Sequence, residues 1–168
     1  MTNDTEPHSQ PDAPPEYDEG IVKVLAAKLF HDWLKNRQQL LVPFTLDLQK
    51  LDAAQADLLV NAMIVAAYAG GDPGEKAGER LTAALERLHA SEAQHALLRE
   101  ALRQPKTLRD LLAGVSDIAT AALVYAASLL AIDRRRLVNR HYMRYLAARL
   151  DLSSQLARSL EQRYRPAM

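Results

Sequence analysis

IATAALVYAASLLAID, residues Ile118–Asp133, decides the fold, and LLVNAMIVAAYAGGD, Leu58–Asp72, repeats its character. Neither stretch holds a charged residue before its closing Asp, and both are rich in Ala. A helix that is apolar on every side has no face to offer water, so both must be buried with the rest of the chain laid against them. No segment shows the two-residue alternation of a strand. The expected fold is therefore all-α: one bundle of seven to eight helices, whose short loops imply antiparallel neighbours.

The composition supports this. A chain of 168 residues that is 48% hydrophobic suits a single core, and with only 5% aromatics Ala and Leu must fill it. There is no cysteine, which excludes disulfides and thiolate metal sites. The uncharged run Ile118–Ile132 falls short of the ~20 residues that a membrane-spanning helix needs. No secretory leader pattern opens the sequence, so the expected location is cytoplasmic, with contact at the inner-membrane surface left open. Formal charge is zero but unevenly spread. Residues 1–20 hold six acids and no Lys or Arg, whereas residues 134–168 hold nine Arg against Asp151 and Glu161. These two ends can attract one another or face separate partners.

Read in order, residues 1–19 are proline-rich and acidic and are expected to be a disordered tail. Residues 20–45 carry an amphipathic helix, Ile21–Gln39, with Trp33 as a packing anchor, and then a connector. Residues 46–165 form the helical domain. Asp52 with Gln55 opens the helix through Leu58–Ala69, which stops at Gly70-Gly71. Asp72-Pro73-Gly74-Glu75 starts the next, burying Leu81, Ala84, Leu85 and Leu88. Ser91 with Gln94 and Thr107 with Asp110 open two more, the second ending near Gly114. Ser116 is read as the cap of the long apolar helix, and Asp133 as the cap of a helix over 134–150. Val138, Tyr142, Tyr145, Leu146 and either Arg149 or Leu150 would form the inner stripe of that helix. Ser153 opens the last, ending near Tyr164. Superposing Ala69 on Ala131, an offset of 62 residues, aligns the two halves as a weak internal repeat.

MIVAAYAGGDPGEKAGERLTAAL, Met63–Leu85, resembles the helix–turn–helix of the TerB-like (tellurite-resistance) superfamily. AALVYAASLLAIDRRRLVNRHYMRYLAARLDL, Ala121–Leu152, is similar to the second half of its YebE-type branch, which has no assigned function. The resemblance spans about Leu46–Tyr164, and SLLAID is its most specific piece. It implies a helical bundle whose acidic turns can hold a divalent cation such as calcium or manganese, a cofactor that needs several converging oxygens. This chain departs from that pattern. The first turn has Gly70 and Gly74 where the family has Asp, with Asp72 and Glu75 out of register. The second keeps Asp133 but has Arg135 and Asn139 where the family has acids. The ion site, Asp72, Glu75 and Asp133, is read as degenerate, leaving at most a weak ion and otherwise no cofactor.

No catalytic signature accompanies this. The five histidines form no i,i+4 pair, and neither a nucleophile elbow nor a phosphate-binding glycine loop occurs. The expected function is a non-enzymatic adaptor with a protein partner; the alternative is a divalent-cation-binding stress protein of the tellurite-resistance kind. Arg134, Arg135, Arg136, Arg140 and Arg144 form the candidate interaction face. Three readings of that cluster stand side by side: a solvated face, Arg135 paired with Asp133 or Asp72 in place of an ion, or the seat of an anionic partner. Among such partners nucleic acid is weakest, because aromatics that could stack on bases are scarce.

Overall fold

Asp52 accepts the Gln55 N–H at 2.8 Å and so starts a helix that carries no charge beyond Asp57. The computed structural model describes residues 46–71 and 75–164. The acidic stretch 1–19, the segment 20–45 with Trp33, and Asp72 lie outside the described residues. Within them are one 3-10 turn, Leu48–Lys50, and seven α-helices, with no strand. The helices are α1 Ala53–Ala69, α2 Glu75–Arg87, α3 Glu92–Ala101, α4 Leu108–Ala113, α5 Ile118–Ala131, α6 Leu137–Arg149 and α7 Ser154–Arg163. None of them is long and apolar enough to cross a membrane.

The two uncharged stretches are α1 and α5, and they form the most extensive helix pair of the domain. Nearly every residue from Leu59 to Ala67 and from Thr120 to Leu129 is buried. Alanine at 62, 66, 122 and 126 is fully buried, and side chains that small let packed helices approach closely. Asn61, the polar interruption in α1, is buried and donates its Nδ2 to the Asp57 carbonyl at 2.7 Å. Around the pair, α3 packs on α1 and α7 on α5, while α2 and α6 each touch both central helices.

The repeat is sharper in the backbone than in the sequence. Adding 62 to the bounds of α2 and α3 gives the bounds of α6 and α7. Among the described residues, the two non-glycine residues in the left-handed region, His89 (φ 54) and Asp151 (φ 51), are also 62 apart. Each closes a helix in the same way: Ala90 N–H donates to the Leu85 carbonyl and Leu152 N–H to the Ala147 carbonyl, both at 3.0 Å. This is the six-to-one bond that satisfies carbonyls left open at a helix end. Side chains at equivalent positions trade size. Tyr68 and Leu102 in the first half correspond to Leu130 and Tyr164 in the second.

Two helix starts differ from the sequence reading. Asp117, not Ser116, caps α5, accepting the Thr120 N–H at 2.8 Å, while Ser116 donates its hydroxyl to Asp117. A carboxylate with two acceptor oxygens takes both Thr120 donors and leaves one hydroxyl bond for Ser116. The cap helps hold the Asp117 carboxyl below its usual range, the Thr120 N–H being the main cause. On α6 the buried stripe is Asn139, Tyr142, Met143 and Leu146; Val138 and Tyr145 face outward.

Candidate functional site

The turn between α5 and α6 sets the geometry. Ile132 leaves α5 in extended conformation, and Asp133 then folds the chain back with its own side chain, Oδ1 accepting the Arg135 N–H at 2.9 Å. Its carbonyl accepts the Arg136 N–H at 3.2 Å and the Asn139 Nδ2 at 2.7 Å. An Asp bonded two residues ahead builds a turn, so α6 starts only at Leu137, with Arg136 as its cap residue. The reading of Asp133 as the cap of a helix over 134–150 is thus corrected: its carboxylate is spent on the turn. Arg136 offers no side-chain acceptor, and the first-turn N–H groups of α6 have no side-chain cap.

Asn139 is the pin behind this turn. It is 3% exposed, and its Oδ1 has no hydrogen-bond partner among the described residues. That oxygen lies against Gly70 at the end of α1, where an added Cβ would stand 2.2 Å away. Gly70 itself has an ordinary φ of −72°, so close approach and not backbone freedom calls for glycine there. Its partner in the tight turn, Gly71, has φ +67° and open space around it. At the equivalent junction of the repeat the sizes are exchanged, with Ile132 in place of Gly70 and Ala77 in place of Asn139.

Beside the turn, α5, α6 and α7 enclose a groove of about 910 Å³. Leu129, Ile132 and Met143 form its floor, and Arg134, Arg135, Leu137, Asn139, Arg140, Arg144 and Glu161 complete the lining. Glu161 is the one acid, and it is already engaged. Its Oε1 accepts the Tyr125 hydroxyl at 2.9 Å, and Arg134 donates to its carbonyl at 2.7 Å and lies 3.5 Å from its Oε2. Burial, reinforced by that carboxylate, pushes the Tyr125 phenol well above its ordinary range. Arg144 meets the His141 ring at 2.7 Å. No hydrogen bond or ion pair ties the Arg135, Arg136 or Arg140 guanidinium to another described residue.

The five predicted arginines therefore share one region but not one role. Arg134 is a structural tie to α7; Arg135, Arg140 and Arg144 stand around the groove; Arg136 is exposed and outside its lining. Arg135 makes no ion pair with Asp133; only its backbone N–H meets the carboxylate, because the turn aims that group at the Asp. Of the ion-site residues, Asp72 and the Glu75 side chain lie outside the described residues. Among the described residues no group of three His, Asp or Glu stands close enough to hold a metal. Sequence reasoning missed Glu161, Tyr125 and the apolar floor, since they are brought together from α5 and α7 by packing that no local spacing reveals.

A family model described as a protein of unknown function, DUF533, matches residues 19–164. No curated protein and no solved structure matches the chain.

Proposed function

The chain belongs to the DUF533 family, one of the TerB-like families, and on that footing we propose that it is a non-catalytic protein-interaction domain whose docking face is α6. Within the family, the segment Ser128–Asp133 supports its placement in the YebE-type branch. The observation that carries the docking reading is the surface of α6. Of four large hydrophobic residues exposed among the described ones, three lie on this helix: Leu137 at 58%, Val138 at 43% and Tyr145 at 51%. From Arg134 to Leu150 the sequence holds six Arg and no acid. Arg and Tyr are enriched and acids depleted at interface centres, where Tyr and Arg carry much of the binding energy, and the exposed Leu137 and Val138 add apolar area beside them.

The test is cross-linking in a host extract at low salt, comparing the natural chain with one in which Arg136, Arg140 and Arg144 are changed to Gln. Loss of the captured partners is the expected result, and an unchanged set overturns the reading. A divalent-ion role has only Asp133 in register, beside two arginines and already accepting an N–H. Repulsion from those cations weighs against a tight site. Calorimetric titration with calcium or manganese, with Asp133→Ala as control, should show no Asp133-dependent heat at millimolar ion. Heat that Asp133→Ala abolishes favours the ion reading instead.

A further inference from the structure

We infer that the groove between α5, α6 and α7 is the seat of a short acidic peptide segment carrying one bulky apolar side chain. The inference rests on the docking reading above and adds the chemistry of the partner.

The groove combines two demands that one ligand must meet. Its floor of Leu129, Ile132 and Met143, with Leu137 exposed at the lip, favours an apolar anchor. Its rim favours anions. Arg135 and Arg140 have no side-chain partner among the described residues, Arg144 has only His141, and the single acid present, Glu161, is held by Tyr125 and Arg134. The first turn of α6 is part of the same lining. Its uncapped N–H groups make that helix end attractive to negative charge and a poor place for arginine. Left alone, cations crowd a positive helix end, and the acids beside them, Asp133 and Glu161, are already engaged in bonds of their own. A carboxylate placed there meets both the guanidinium forks, which match it in two-pronged geometry, and the open N–H groups.

The same features argue against other occupants. A concave floor lies out of reach of a flat lipid surface. No aromatic side chain lines the groove to stack on a base. A simple inorganic anion leaves the apolar floor uncovered. The volume, about 910 Å³, lies at the upper end of the roughly 300–1,000 Å³ typical of ligand pockets, which suits an anchor and its flanking residues.

Fluorescence anisotropy tests this with the full chain and a labelled twelve-residue peptide of Glu and Asp around a single central Leu. Saturable binding is expected. It should weaken at least tenfold in the Arg140→Glu, Arg144→Glu double variant and at least tenfold when the peptide's Leu is replaced by Ser. Circular dichroism of the double variant, with an unchanged melting curve, separates lost binding from lost folding. Equal binding of the Ser peptide overturns the inference, because the floor then contributes nothing. So does undiminished binding to the double variant, or binding only to vesicles that contain anionic phospholipid. If the peptide fails to bind while the Arg→Gln chain still loses its cross-linked partners, the docking reading survives and this inference alone falls.

Discussion

Replacing Gly70 by Ala is the sharpest test of how the α5–α6 turn is held. Nothing in the backbone resists it: at φ −72° alanine is comfortable, and fewer unfolded conformations would stabilise the fold by about 0.4–1 kcal/mol. The opposition comes from Asn139. The new methyl would stand 2.2 Å from Oδ1 and 3.2 Å from Cγ, so the buried amide must move and release its 2.7 Å bond to the Asp133 carbonyl. Leaving buried polar groups unpaired costs about 1–3 kcal/mol, and forcing an extra methyl into a packed junction about 1–3 kcal/mol more. The net loss is roughly 2–4 kcal/mol, a fall in melting temperature of about 5–15 °C for a chain of this size. Thermal and urea unfolding of Gly70→Ala, Asn139→Ala and the double variant measure it. With Asn139 already Ala, as at the equivalent Ala77, the methyl meets only the Ala67 carbonyl at 3.3 Å, so the double variant should be more stable than Gly70→Ala alone. Strictly additive losses, or an unshifted Gly70→Ala, would refute the steric account.

Three further outcomes can be checked on the same equipment. Asp151→Gly should raise stability by about 1 kcal/mol, because glycine relieves a left-handed residue whose six-to-one bond needs only backbone; a loss would show that the Asp side chain is required there. Ser91→Ala and Ser153→Ala, equivalent in the repeat, should each cost about 1 kcal/mol, and a cap that costs nothing would be idle. Burial holds Tyr142 up at about 12 and raises Tyr125 and Tyr164. The unfolded chain releases these protons near pH 10, so their contribution is complete below pH 10 and lost as pH climbs toward 12. Urea midpoints should be level from pH 7 to 9 and fall above 10; a midpoint still level at pH 11.5 would contradict the burial.

Much of the architecture could be read from the chain because its signals are local. Asp52, Thr107 and Ser153 each accept a first-turn N–H with their side chains, Gln94 reaches back to the Ser91 N–H, and the uncharged runs had no alternative to burial. The readings that failed depended on rotation or on a choice between neighbours. Val138 and Tyr145 are apolar enough for a core stripe, but a helix starting at Leu137 after the Asp133 turn presents Asn139 and Met143 to α1 and α5 instead. Helix ends at His89 and Asp151 carried no glycine, so their left-handed turns were silent in the sequence. The arginines of the site were evident from charge alone. Their groove was not, because Leu129 and Glu161 lie on separate helices and meet only through packing.

The central pair of helices has a bearing on where the chain can be cut. Severed between Gly114 and Ile118, each fragment would own one of two mutually dependent apolar rods, with the face that it gives to the other rod left bare. Neither piece should hold its shape in isolation. Mixed together they should reassemble, and one half supplied in excess would seek its own twin, since the two halves follow the same template.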